Sequence, residues 1–212
     1  MNPSSPPRGF ALPTLMVILA LANLATLLAL RNLWVNEQLL NAHSDRLRSQ
    51  HKAEAMLPVA LADILGSANS SDGTPNLRHT TGNNTQSHAF FPTSMTEYDL
   101  LRQRLNTATC SAGICAPIAL DANANKASYW QSITATAMSV NASDTPYGSN
   151  SAWYWVEVFP STTAENSTFV YRITALTYGV MPGSSTVLQA IWVRNHLTAT
   201  TGQWRSWHVL HD

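Results

Sequence analysis

The sequence predicts an α+β protein in which one long N-terminal helix, spanning a membrane in its first part, packs on a small antiparallel β-sheet. Three observations predict this fold: an uncharged apolar run from Phe10 to Leu30, helical spacing of apolar residues as far as Leu65, and four β-prone runs near the C-terminus. Only 11% of the 212 residues are charged, and 12 Lys and Arg balance 12 Asp and Glu. No nucleic-acid partner is therefore expected.

The apolar run is long enough to cross a membrane. Residues 1–9 form a polar, proline-rich leader, and residues 10–30 carry no charge. As a helix, this run would measure about 31 Å, which matches the hydrocarbon core of a bilayer. Pro13 falls in the first turn, where its missing amide has no helical partner. We therefore expect a leader over 1–9 and a transmembrane helix over 10–30.

Beyond the apolar run the chain becomes polar but keeps helical spacing, in Leu33, Leu40, Leu47, Leu57, Leu61 and Ile64. One helix is expected from Phe10 to about Leu65, with residues 31–65 as its soluble continuation. Pro58 is expected to kink or interrupt the last turns, and Gly66 to end the helix. Residues 66–89 are rich in Ser, Asn, Thr and Gly and predict a polar loop.

Residues 90–212 are expected to form a globular head with one short helix and four strands. Ser94 and Glu97 have the spacing of a capping box, and the residues that follow on one helical face are Tyr98, Leu101 and Leu105. The β-prone runs are Ala152 to Phe159, Phe169 to Val180, Thr186 to Asn195 and Gln203 to Leu210. The tight connection from Met181 to Ser185 predicts that the second and third runs form an antiparallel hairpin.

The N-terminus resembles a type IV prepilin, because a hydrophilic leader ends in Gly9 and Phe10 opens the apolar helix in Arg-Gly-Phe-Ala-Leu. The resemblance implies that a prepilin peptidase cuts between Gly9 and Phe10 and methylates the new N-terminal Phe10. Ordinary pilins carry glutamate at the fifth mature position, where this chain has Thr14. A subunit at the filament tip has no neighbouring terminal ammonium to neutralise, so the missing acid is compatible with a minor pilin at the tip.

The later sequence is similar to PilX-type minor pilins, both in the helix and in three later stretches. The helix residues are Asn41, Asp45, Arg46, Gln50 and Ala53-Glu54-Ala55. The later stretches are Cys-Ser-Ala-Gly-Ile-Cys-Ala-Pro from Cys110, Tyr171-Arg-Ile-Thr-Ala175 and Val187-Leu-Gln-Ala190. The resemblance implies a pilin-like fold and a role in initiation and assembly of a type IV pilus near its tip, supporting adhesion, aggregation or twitching motility. It implies as partners other minor pilins, the major pilin, the prepilin peptidase, the inner-membrane assembly platform and a large non-pilin tip adhesin. The chain is expected in the inner membrane, single-pass with a cytoplasmic N-terminus and a periplasmic head, and after assembly in the extracellular pilus.

The only cysteines, Cys110 and Cys115, lie close together in the chain. They suit an oxidised bridge across a tight loop if the head lies outside the cytosol. Closing so short a loop would constrain the unfolded chain by about 2 kcal/mol. A redox-active pair is the alternative, although the spacing is not that of Cys-x-x-Cys.

No catalytic residue, cofactor or metal site is expected. His208 and His211 have no nearby Cys or carboxylate pattern, and the calcium-like run that begins at Asp121 has Lys126 in place of the required glycine. Core and cross-strand packing, rather than a ligand platform, is expected for Trp153, Trp155, Trp192, Trp204 and Trp207.

Three alternatives stay open. A minor pseudopilin of a type II secretion system can share the processing site and the missing acid, although its K-type member usually has a larger head. A secretory signal cut after Ala22, or a plain signal anchor, would make the head an exported binding domain or enzyme. An enzyme would need a converging acid, base and nucleophile, and no Gly-x-Ser-x-Gly, phosphate-binding or zinc-protease motif occurs in the sequence.

Overall fold

The computed structural model confirms the α+β class and divides the chain into two compact units, residues 1–44 and 45–212. The residues that the structure describes are 11–66, 89–105, 109–121, 126–140, 152–162, 167–197 and 199–211. The expected leader and nearly all of the expected polar loop lie outside these residues.

Helix α1 spans Ala11–Leu65. In the first unit, every side chain from Leu12 to Ser44 is exposed. The helix contains an 18-residue window with a mean hydropathy of 2.1, so by length and composition it is able to cross a membrane. The Thr26 hydroxyl donates to the carbonyl of Ala22 at 2.8 Å. This bond satisfies the hydroxyl within the helix, as a bilayer requires.

The C-terminal end of α1 differs from the expectation at Pro58 and agrees with it at Gly66. Pro58 is exposed and lies inside the helix, which continues to Leu65. Of the two expected effects, a kink or an interruption, the interruption is wrong. On an exposed face, water can bond the carbonyl that the proline leaves without an amide partner. Gly66 has a φ of 74°, and its N–H donates to the carbonyl of Asp63 at 3.1 Å. The glycine ends the helix as predicted.

Helix α2 (Met95–Leu105) buries the three residues predicted to share one face: Tyr98, Leu101 and Leu105. The N–H of Glu97 donates to the Ser94 hydroxyl at 3.2 Å, as in a capping box. The Glu97 carboxylate, however, accepts from the N–H and hydroxyl of Thr93 at 2.6 and 2.8 Å. In a regular capping box, the glutamate carboxylate accepts from the backbone N–H of the cap residue itself, which here is Ser94. In α2 it accepts instead from Thr93, the residue before the cap.

One seven-stranded sheet forms the body of the second unit, in the order β1-β2-β4-β5-β6-β7 with β3 paired to β4. The strands are β1 (Cys110–Ser111), β2 (Ile114–Cys115), β3 (Met138–Val140), β4 (Ala152–Thr162), β5 (Ser167–Tyr178), β6 (Ser185–Arg194) and β7 (Gly202–His211). All pairs are antiparallel except β2 with β4, which is parallel. The four long strands and the β5–β6 hairpin confirm the prediction, whereas the short strands β1, β2 and β3 were not predicted.

Both faces of the sheet are covered. On one face, Tyr171 and Ile173 of β5 belong to the same buried cluster as Met56 and Ile64 of α1. On the other face, Leu176 of β5 belongs to a smaller cluster with residues that include Trp130 of helix α3 (Ala127–Ser132). Alternation of side chains along β5 supplies both clusters.

Asp45 attaches the start of the second unit to the β5–β6 hairpin. It is 5% exposed, and its carboxylate oxygens accept from the backbone N–H groups of Val180 at 2.7 Å and Met181 at 3.1 Å. Burial raises the pKa of Asp45, but these N–H groups, the Ser184 hydroxyl and the charge of Arg48 bring it below the ordinary value of 3.8. The ionised carboxylate is therefore part of the folded structure.

Two further polar residues on α1 bond to the sheet. The hydroxyls of Ser49 and Thr186 lie 2.6 Å apart, and the Thr177 hydroxyl donates to the Ser49 carbonyl at 2.8 Å. Nearer the end of the helix, the Tyr154 hydroxyl donates to Asp63 at 2.7 Å. Because these bonds are directional, they set the rotation of α1 about its axis, which apolar packing alone leaves adjustable.

Replacing the Asp45 carboxylate tests this attachment. We expect Asp45→Asn to lower the free energy of unfolding of the second unit by about 2 kcal/mol at neutral pH, because two charge-assisted hydrogen bonds are weakened. The folded-state pKa is lowered, so the contribution is present above the ordinary pKa and is lost as the pH falls through the folded value. The measurement is urea unfolding of the full chain in detergent at a series of pH values.

Asp99→Asn on the exposed side of α2 is the matched control, with an expected change within about 0.5 kcal/mol. A difference between wild type and Asp45→Asn that stayed constant from neutral to strongly acidic pH would contradict the assignment of the stabilisation to the ionised carboxylate.

Candidate interaction site

The residues predicted for processing fall at the edge of the described chain. Gly9 and Phe10 lie outside the described residues. Thr14 is exposed in the first turn of α1, and the described first turn holds no acidic residue. Cleavage after Gly9 and the role of Thr14 remain predictions.

The predicted disulfide is present. Cys110 and Cys115 are joined by an S–S bond of 1.97 Å, and they face each other across the short β1–β2 hairpin. The N–H of Gly113 donates to the carbonyl of Thr136 at 2.7 Å, and the carbonyl of Gly113 accepts from Val156 at 2.7 Å. The disulfide therefore closes a hairpin that is bonded to β4, which is a stapling role.

The five tryptophans of the C-terminal strands differ in burial. Trp155 and Trp192 are buried, at 0% and 2% exposure, as predicted. Trp153 is half-buried against the ring of Tyr178, with centroids 5.4 Å apart. Trp204 and Trp207 of β7 are 43% and 56% exposed, so the core part of the expectation is wrong for them, although each lies opposite a residue of β6.

A β-bulge in β7 explains why both exposed tryptophans share one face. Residues three apart on a regular strand point to opposite faces. In β7, however, Trp204 pairs with Trp192 and Ser206 pairs with Ile191, which leaves Arg205 as an extra residue. Trp207 pairs with Ala190. Trp204 and Trp207 therefore point to the face that carries α1, and sequence spacing alone gave no sign of the bulge.

These two side chains form one wall of a groove, which we call the α1–β7 groove. Its lining is Glu54, Leu57, Pro58 and Leu61 of α1 with Trp204 and Trp207 of β7, and its volume is about 470 Å³. The one ionisable residue in this lining is Glu54, whose side chain is 35% exposed. Its carboxylate accepts from Gln50 at 3.2 Å and lies 3.3 Å from Nδ1 of His51. The groove suits an apolar ligand that carries a positive charge near one end.

Other ionisable groups do not assemble a second site in the described part of the chain. The buried carboxylate of Glu157 is paired with Arg172, with Nη2 to Oε1 at 2.7 Å, which is an internal ion pair. His208 is exposed on β7. The side chain of His211 and residues 122–125 of the calcium-like run lie outside the described residues. Among the described residues, no group of three or more His, Cys, Asp and Glu is placed to hold a metal ion.

A known protein family matches most of the second unit. Residues 69–194 match the family model described as type IV pilus assembly protein PilX, C-terminal. This range is more than half of the chain and includes α2 and strands β1 to β6. Helix α1 and strand β7, the two walls of the groove, lie outside it. No curated protein and no solved structure matches the chain.

Gly113 in the disulfide hairpin permits a test of how closely the hairpin packs on β3 and β4. It has a φ of +78°, and a Cβ added to it would lie 2.6 Å from the backbone nitrogen of Met138 and 2.9 Å from the carbonyl oxygen of Tyr154. Gly183 has a similar φ of +84°, but a Cβ there would meet no atom within 4 Å. We expect Gly183→Ala to lower the free energy of unfolding by about 1 kcal/mol, because alanine disfavours this positive φ.

We expect Gly113→Ala to lower the free energy of unfolding by about 1–3 kcal/mol more than Gly183→Ala does, because the hairpin must move away from β4. The measurement is urea unfolding of both full-length variants under identical conditions. Equal losses in the two variants would show that the hairpin is not held closely against the sheet.

Proposed function

This chain belongs to the PilX family of type IV pilus assembly proteins, and from that premise we propose that it is a minor pilin that acts near the filament tip by packing with partners, not by catalysis. Family membership itself supports a minor pilin of pilus assembly. Its processing, its membrane topology and its place in the filament are the parts that we propose.

The observation that carries this proposal is the exposed apolar surface of α1 in the first unit. Leu12 is 72% exposed, Leu21 60% and Leu28 54%. Exposure of such side chains to water costs about 25 cal/mol for each Å² of apolar surface. A surface of this kind therefore needs lipid or other apolar helices around it. A pilin meets both environments, first the inner membrane and then the helical core of the pilus.

We propose that the prepilin peptidase cuts between Gly9 and Phe10 and that Phe10 becomes the methylated N-terminus. Before assembly, residues 10–30 would hold the chain in the inner membrane with the second unit in the periplasm. After assembly, the second unit would face outward from an extracellular pilus. The disulfide supports an oxidising compartment for this unit, because such bridges are rare in the cytosol.

The identity of Thr14 supports a place near the tip. A carboxylate at this mature position would neutralise the terminal ammonium of a neighbouring subunit. A subunit at the tip has no such neighbour, so it does not need the carboxylate. The partners that follow from this role are other minor pilins, the major pilin, the inner-membrane assembly platform and a large non-pilin tip adhesin. Adhesion, aggregation and twitching motility are the outputs that such an assembly would support.

The match to a pilus assembly family favours this role over that of a minor pseudopilin in type II secretion. It also favours a pilin over an unrelated exported domain on a signal anchor.

Intact-mass and N-terminal peptide analysis of the membrane-extracted protein tests the processing. We expect a start at N-methylated Phe10 in a host with the prepilin peptidase and a start at Met1 in a host without it. Gly9→Leu should remain uncut with the peptidase present, whereas the matched variant Arg8→Lys should be cut. A mature start at Asn23, directly after Ala22, would indicate a secretory signal and contradict the pilin role.

Pilus counts after replacement of Thr14 test the tip position. We expect Thr14→Glu to lower the number of pili per cell, because an unpaired carboxylate within the membrane or helix bundle costs about 2.5–3.5 kcal/mol. Thr14→Ser, which keeps a hydroxyl, should leave the count near wild type. An increase with Thr14→Glu would show that a neighbouring ammonium is present and would contradict a terminal position.

A further inference from the structure

Among the strands that the structure describes, β7 is an edge strand whose backbone is paired on one side only. It lies at one end of the strand order and pairs with β6 on one side, and no other described strand pairs with it. Residues 203–208 are all exposed. Such an edge presents N–H and C=O groups that are ready to pair with another strand.

The α1–β7 groove lies beside this open edge. Its α1 wall is Leu57, Pro58 and Leu61, and its β7 wall is Trp204 and Trp207. Tryptophan contributes more binding energy than most residues when a partner covers it. Because of the bulge at Arg205, both tryptophan side chains point into the groove, so the apolar groove and the backbone edge belong to the same strand.

We propose that β7 and the α1–β7 groove bind an extended segment of a partner polypeptide, which pairs with β7 as an additional strand and inserts alternate apolar side chains between α1 and the two tryptophans.

The residues that line the groove favour an extended segment with apolar side chains at alternate positions. Five of the six lining residues are apolar, and the volume of about 470 Å³ is within the size range of ligand-binding pockets. A strand that pairs with β7 points every second side chain into the groove, so apolar residues at alternate positions fill it. Glu54 lies in the α1 wall of the groove. Its negative charge favours a Lys or Arg in the bound segment.

A partner chain is favoured over a second copy, and this choice rests on the proposed function. Antiparallel pairing of β7 with β7 of another copy is a two-fold contact, in which the two copies have opposite strand directions. Subunits of one filament are related by a helical operator and all point the same way. An antiparallel β7–β7 pair does not fit this arrangement, and we assign the open edge to a segment from a different chain.

The probes are two fluorescein-labelled peptides of about eight residues, near the upper end of ordinary strand length. Both alternate Leu, Val and Ile with Thr, and each has one Lys, at the N-terminal end in one peptide and at the C-terminal end in the other. Fluorescence anisotropy is measured with the full chain in lipid nanodiscs, and empty nanodiscs give the background from partitioning. We expect saturable binding of at least one of the two peptides.

Variants separate the groove from general apolar contact. Trp207→Ser should weaken binding about tenfold, and Val180→Ser, which removes a 77% exposed apolar residue outside the groove, should leave binding unchanged. Glu54→Lys should weaken binding of the Lys peptide, and a peptide with Glu in place of that Lys should restore it. Unfolding midpoints equal to wild type establish that the variants are folded.

Peptides N-methylated on alternate amides test strand pairing itself. Methylation on the edge that faces β7 should abolish binding, and methylation on the opposite edge should leave it within about twofold. Equal effects on the two edges, or no saturable binding by either parent peptide, would overturn the proposal. A concentration-dependent dimer that Trp207→Ser dissolves would assign the groove to a second copy and overturn it as well.

The two proposals fail separately. Loss of peptide binding would leave peptidase-dependent processing at Phe10 unaffected. Cleavage at another position with intact peptide binding would remove the pilin role and keep the groove as a peptide site.

Discussion

The packing of α1 residues 45–65 on one face of the sheet is the contact on which the second unit depends. Four fully buried residues, three or four positions apart, form the contact stripe: Ala53, Met56, Ala60 and Ile64. Asp63 lies at one end of this stripe and Asp45 about two turns before the other. Their hydrogen bonds fix where the helix meets β4 and the β5–β6 hairpin. The smaller core on the other face of the sheet, around Trp155 and Trp130, has no residue of α1.

The same contact determines where the second unit has apolar surface left over. The α1 stripe shares one buried cluster with the helix-facing residues of β5 and β6, but Trp204 and Trp207 on the next strand remain about half exposed. Leu57 and Leu61 are half-buried on the neighbouring side of the helix. The α1–β7 groove is therefore a direct result of a sheet that extends one strand beyond the cover of its helix. A helix packed further towards β7 would close the groove and uncover β5.

Sequence reasoning succeeded where the physical signal is local. Strands β4 to β7, the β5–β6 turn, the stop at Gly66 and the Cys110–Cys115 bridge all follow from residue types and short spacings. It failed where the outcome depends on a distant partner. Strands β1 and β2 are too short to show a pattern and exist because Gly113 bonds to Val156 and Thr136. The placement of Trp204 and Trp207 on the same face depends on the bulge at Arg205, which is a property of the β6–β7 pairing.

The sequence by itself determined the long helix, the apolar character of its first part and the α+β composition of the remainder, because each rests on periodicity or turn chemistry within a few residues. Its N-terminal pattern also carried the resemblance to prepilins. Only the tertiary structure decided that Asp45 binds the β5–β6 turn, that the disulfide hairpin pairs in parallel with β4, and that a groove opens beside β7. Those features join residues far apart in the chain, and the free energy that selects them arises from side-chain packing and hydrogen bonds made only after the helix meets the sheet.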